Sequence, residues 1–276
     1  MNLHFQKYFS MKEFGFSLRR YLYRVILILF LTISGSVNAQ SWIDVKHLTP
    51  EEIAINFLSS VSEYKSRKGL DDYKVHSKIV NDAGVIYVKV FISPENYLKI
   101  ESKITKKLNL YSIILGKELN ISINNDDMRE SKEIVNIYFS NRKNVFDVLK
   151  EYEDSGRDFG RYEGDLCARS ALYNVNGFIE EVFSTVNMSL NDGGLNKCIN
   201  NVLFHSFYFG DVSYYGDDNI DKKESSLTGE DILNMRILYD DRIPLSIGES
   251  SDVSIVIPVA RDAKKWFCLA VGQNDC

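Results

Sequence analysis

The 276-residue chain has few cysteines, prolines and histidines, four of each. The cysteines, at 167, 198, 268 and 276, form no CxxC pair, which argues against a zinc site built from them. No GxSxG elbow, phosphate loop or dinucleotide fingerprint occurs, so three common routes to catalysis and nucleotide binding are absent. There is no basic run either, and the net charge is −5, which argues against nucleic acid or an anionic membrane surface as a partner. The longest apolar run, Val25 to Ile33, is too short for a secure membrane span.

That run has a different meaning in its context. Lys7, Lys12, Arg19, Arg20 and Arg24 precede it, and Val37-Asn38-Ala39 follows with small residues at cleavage positions, so residues 1–39 read as a signal peptide. Its removal takes five basic residues and one acidic one, moving the net charge to about −9. The remaining 40–276 are expected to form a single domain, exported to the periplasm or secreted, with no membrane insertion after cleavage. An even cysteine count in such a chain suggests two disulfides, with three connectivities open.

Along the mature chain, Thr49-Pro50-Glu51-Glu52 predicts a helix running to about Lys65, with Ile53, Phe57, Leu58 and Val61 on its core face. Tyr73 to Ile79 and Val85 to Ile92 alternate around Asn81-Asp82-Ala83-Gly84, the pattern of a hairpin, and His76 reads as a strand-surface residue. A second helix is expected from Ser93-Pro94-Glu95 to Leu115, ended by Gly116. Strands follow at Leu119 to Ile123 and Ile134 to Ser140, then a short helix at 144–152 and a polar loop at 153–161. Leu166 to Tyr173 and Phe178 to Val186 form a second hairpin around Asn174 to Gly177. Asp217, Asn219 and Asp221 mimic the start of a calcium loop, but Lys222 and Thr228 stand where it needs glycine and glutamate. Beyond Pro244 the pattern weakens, and Val253 to Ala260, interrupted by Pro258, reads as a strand or a short helix.

The stretch from Cys198 to Asp241 organises the chain. Ile199, Val202, Leu203 and Phe207 form the stripe of an amphipathic helix, which leaves Asn201, His205 and Tyr208 for another face. A zincin metallopeptidase carries HExxH on such a helix, two histidines holding zinc and a glutamate activating the water. Here the frame reads Asn201, Val202, Leu203, Phe204, His205. After an acidic loop, Thr228 and Asp231 predict a capping box, with Ile232, Met235, Leu238 and Tyr239 facing inward.

The segment from Cys167 to Asp241 resembles the bacterial domain of unknown function 2927. That family combines a cysteine-bearing strand hairpin, a cysteine before a helix reading roughly EExxQxLGL, and an LTxxD helix ending in LYD. Leu227-Thr228, Asp231 and Leu238-Tyr239-Asp240 match the last element. The family is itself similar to metzincin peptidases. The resemblance implies an α+β, zincin-like fold: a mixed sheet, a central former active-site helix, flanking helices, and a degenerate catalytic-like core at 163–241. It also puts Cys167 of the hairpin near Cys198 of the helix, which implies that they pair, leaving Cys268 with Cys276.

In this chain the family's two glutamates fall on Asn201 and Val202, its glutamine on His205 and its glycine on Tyr208. Valine cannot polarise a zinc-bound water, asparagine is a poor zinc ligand, and position 211, where a metzincin has its third histidine, is Asp. The resemblance thus implies an inactive relative with no catalytic residues and no cofactor. Such a domain would use the groove between an edge strand and the central helix for a peptide or cell-envelope protein. The alternative is a zinc-dependent hydrolase with an atypical site at His205, Asp211 and the acidic loop.

Overall fold

The computed structural model describes residues 45–67, 85–124, 134–140, 167–173, 179–208, 227–244 and 253–271. The signal peptide, the first strand of the 73–79 hairpin, the 144–152 helix, the 153–161 loop, the acidic loop with Asp211, and Cys276 all lie outside them.

Caps set most of the helix starts. Glu52 N–H donates to Thr49 Oγ1 at 3.1 Å and Thr49 N–H to a Glu52 carboxylate oxygen at 2.6 Å, a reciprocal pair that opens α1 (Pro50–Arg67). Its stripe of Ile53, Phe57, Leu58 and Val61 is buried, as the spacing predicts. Strand β1 (Val85–Phe91) leads into α2 (Pro94–Leu115). Ser93 makes no side-chain bond there, so the fixed φ of Pro94 marks the start. Gly116 ends α2 at φ +64, the left-handed turn that favours glycine, with its N–H donating to the Ser112 carbonyl. A Cβ on Gly116 would also meet the Arg236 guanidinium, which donates to the orphan carbonyls of Ile113 and Ile114.

Strands β2 (Glu118–Ile123), β3 (Ile134–Ser140), β4 (Cys167–Tyr173) and β5 (Ile179–Asn187) complete a five-stranded sheet in the order β2-β1-β3-β5-β4. Four strands are parallel, and β4 alone runs antiparallel, on the outer edge of β5. The chain is thus mixed α/β, consistent with the α+β expectation. One expected pairing needs correction: both edges of β1 are taken by parallel neighbours, so β1 is not the second strand of an antiparallel hairpin. A glycine-bearing turn beside an alternating strand announces a chain reversal, but it does not say which strand returns alongside. The second hairpin, β4 with β5, forms as predicted.

Alternation gives the sheet two faces. Ile86, Val88, Val90, Val135, Ile137, Phe139, Val182 and Val186 are buried on one, the face on which the third helix, α3 (Asp192–Phe207), packs. The other carries a row of rings, with Phe91 and Tyr138 stacked at 4.3 Å and Tyr138 tilted against Phe183 at 4.7 Å. Beside it Asn136 Nδ2 donates to Glu181 Oε1 at 2.5 Å.

Helices α4 (Gly229–Leu238) and α5 (Val253–Ala270) close the structure, α5 lying along α1. The strand-or-short-helix reading of 253–260 is corrected: this is an 18-residue helix with Pro258 inside it. A proline forfeits one backbone bond and strains its own turn. Val256, Val259, Ala260, Ala263 and Phe267, all buried against α1 and α4, outweigh that. Lys264 Nζ donates to the Lys46 and Leu48 carbonyls, fixing the entry to α1.

Candidate functional site

The central helix α3 begins at Asp192, six residues before Cys198. Asn191 caps it, its side chain accepting from Gly194 N–H at 2.8 Å. Gly193 and Gly194 occupy the first turn, where the amides lack intrahelical partners and a good cap offsets the cost of glycine.

Two contacts hold α3 on the sheet. Cys198 is bonded to Cys167, the first residue of β4, with Cα atoms 5.7 Å apart, and Ser184 Oγ of β5 lies 3.0 Å from Ser206 Oγ. The bridge closes a separation of 31 residues, worth about 3–4 kcal/mol on the loop-entropy account. Cys268 is disulfide-bonded as well. On its far side α3 meets α2, where Tyr111 packs on Phe207 with ring centroids 5.2 Å apart, Lys107 Nζ donates to Asn200 Oδ1, and Lys103 pairs with Asp192 at 3.4 Å. Burial, with Lys103 adding to it, holds the Lys107 ammonium below its ordinary pKa.

Being packed on two sides changes the face assignments. Val202 is 3 % exposed, as the apolar stripe requires, but His205 at 7 % and Tyr208 at 6 % are buried too, although they lie off that stripe. Of the three, Asn201 alone is half-buried. His205 follows Cys198 by seven residues and Asn201 by four, which sets it on the flank of α3 that bears the bridge to β4. Its imidazole meets the Phe204 ring edge-on at 5.0 Å. Ser206, next in sequence, points to the sheet and donates to the Val202 carbonyl at 2.7 Å, so it is a packed hydroxyl and not a nucleophile beside an imidazole.

The HExxH frame therefore presents one half-buried amide, one valine in the core and one buried imidazole. These groups do not fit a catalytic zinc, and among the described residues no three His, Cys, Asp or Glu side chains cluster to hold a metal. Tyr208, which caps α3, has φ −129 and ψ 140, so the chain leaves the helix extended. Thr228 and Asp231 form the predicted capping box of α4, with bonds of 2.9 and 3.1 Å. Ile232, Met235, Leu238 and Tyr239 are buried as predicted.

A polar cluster escaped the sequence reading. The Tyr208 hydroxyl is buried and hydrogen-bonds the side chains of Asn234 of α4 and Ser60 of α1; burial pushes its pKa well above the ordinary tyrosine value, with the Asp231 charge adding to it. The only cue is Asn234 within the apolar face of its helix, a polar residue in a place that demands a partner. No helix among the described residues is long and apolar enough to cross a membrane. Set against family models, curated proteins and solved structures, the chain matches none of them.

Proposed function

We propose that this chain is an exported, non-catalytic, zincin-like domain related to the domain of unknown function 2927, and that the groove between β4 and α3 takes an extended segment of a cell-envelope protein. The observation that carries the reading is Val202, which sits in the core at the place where a zincin needs its general base. The sheet supports it: the one antiparallel strand is at the edge, and it is tied by a disulfide to the helix that follows the last parallel strand. A strand so placed offers a row of backbone donors and acceptors along its outer side, the means by which peptides add to sheets. The disulfide fits an oxidising compartment.

The test uses peptides selected from a random display library against residues 40–276, followed by hydrogen exchange. Protection gained along β4 and α3 is the expected result. Protection confined to another surface would refute the groove. Near one zinc per chain, lost in His205→Ala together with a peptidase activity, would refute the non-catalytic reading in favour of a zinc hydrolase.

A further inference from the structure

The two walls of the groove between β4 and α3 carry charge of one sign. Strand β4 reads CARSALY, with one cation and no carboxylate. Its register sets Arg169 opposite Ser184, and Ser184 Oγ meets Ser206 of α3. Residues directly opposite in a ladder share a face, so Arg169 belongs to the face that carries α3, two residues along from the Cys167–Cys198 bridge. On the helix, Lys197, Asn201 and His205 follow one another in steps of four beside Cys198, a row up the flank that bears the bridge. Lys197 and Asn201 are half-buried, His205 lies deeper, and none of the three can carry a negative charge.

The acids of the neighbouring elements are placed elsewhere. Asp192, the one carboxylate of α3, is in its first turn and pairs with Lys103 of α2 at 3.4 Å. Glu181 of β5 lies on the opposite face of the sheet, where it accepts from Asn136. Glu180 precedes Ser184 by four residues, roughly 13 Å along the strand. In a chain of net charge −5, the groove is a local reversal of sign.

We infer that the segment taken up by this groove is acidic, with carboxylate side chains toward Arg169 and Lys197. The inference rests on the reading of the groove as a peptide site and adds the chemistry of its occupant. A strand added to β4 presents every second side chain to the face of α3, so acids at alternate positions meet this wall together. Cations at the rim draw such a segment in and turn a basic one away. Arginine takes a carboxylate through two parallel N–H bonds, which fixes the register of the added strand.

Ten-residue peptides alternating threonine with glutamate, glutamine or lysine test this on the full chain, with affinity measured at low and high salt and the site located by hydrogen exchange. The glutamate peptide should bind about tenfold tighter than the glutamine one at low salt, lose that margin at high salt, and protect β4; the lysine peptide should bind weakest. Arg169→Glu should reverse the order. Lys197→Glu, at a half-buried helix position, should narrow the margin and keeps the test alive if the strand variant does not fold. Equal affinity for the glutamate and glutamine peptides with β4 protected would overturn the acidic occupant and leave the groove standing. No peptide protecting β4 would bring down both. A dimer of the chain that Arg169→Glu dissociates would give the groove to a second copy and overturn the inference as well.

Discussion

At the scale of single residues, Val202 decides most. A carboxylate placed there would be buried in the apolar core, so Val202→Glu should cost about 3 kcal/mol or more, read from urea denaturation. Asn201→His, half-buried, should stay within about 1 kcal/mol of the parent. A Val202→Glu chain as stable as the parent would mean that this flank of α3 opens to solvent. The burial of Val202 was legible in the sequence, since apolar residues at helical spacing face a core. The burial of His205 and Tyr208 was not. A stripe marks the most apolar face, and it is silent about a helix covered on further sides by a disulfide-linked strand and by neighbours contributed from distant parts of the chain.

Among elements, two helix starts that look alike in sequence behave differently. Ser93-Pro94 and Thr228 both carry capping residues, but Ser93 Oγ is buried without a hydrogen bond, whereas Thr228 and Asp231 form the full reciprocal box. Thr228→Ala should therefore lower stability by about 1 kcal/mol, and Ser93→Ala by no more than about 0.5 kcal/mol. Equal losses in thermal denaturation would contradict the geometry. Capping motifs were readable because they are local: three residues and their amides suffice. The full length of α5 was hidden because Pro258 is a local signal against a helix, and the opposing term, burial of Val256, Val259 and Phe267 on α1 and α4, is tertiary.

For the molecule as a whole, acid tests how α4 is joined to α5. Arg242 bonds Asp240 at 2.8 and 2.9 Å and Asp262 at 2.8 Å. The Arg242 side chain, against some opposition from burial and with help from its backbone N–H, holds the Asp240 carboxyl below the ordinary range. A depressed folded-state pKa stabilises above the unfolded value of about 3.9, and that contribution disappears as pH falls through the folded value. Asp240→Asn should then flatten the acid limb of the stability profile, with a loss at neutral pH under about 1 kcal/mol because the pair is largely exposed. An acid limb unchanged in the variant would show that the pair contributes nothing. Strand neighbours were the least legible feature at this scale. Alternation located β1, β2 and β3, but nothing within them says that the earliest of the three lies in the middle, because parallel partners are chosen through helices and crossovers.

The contact between α1 and α5 bears on when the chain can fold. Ala54, Phe57 and Val61 of α1 are essentially inaccessible to water, and the helix that lies along α1 is the last described element of the sequence. A chain emerging from the ribosome carries that apolar face uncovered until residues 253–271 have been made, so its core cannot close part-way through synthesis. A chain that stays open until α5 has been made folds after the bulk of its synthesis and not during it.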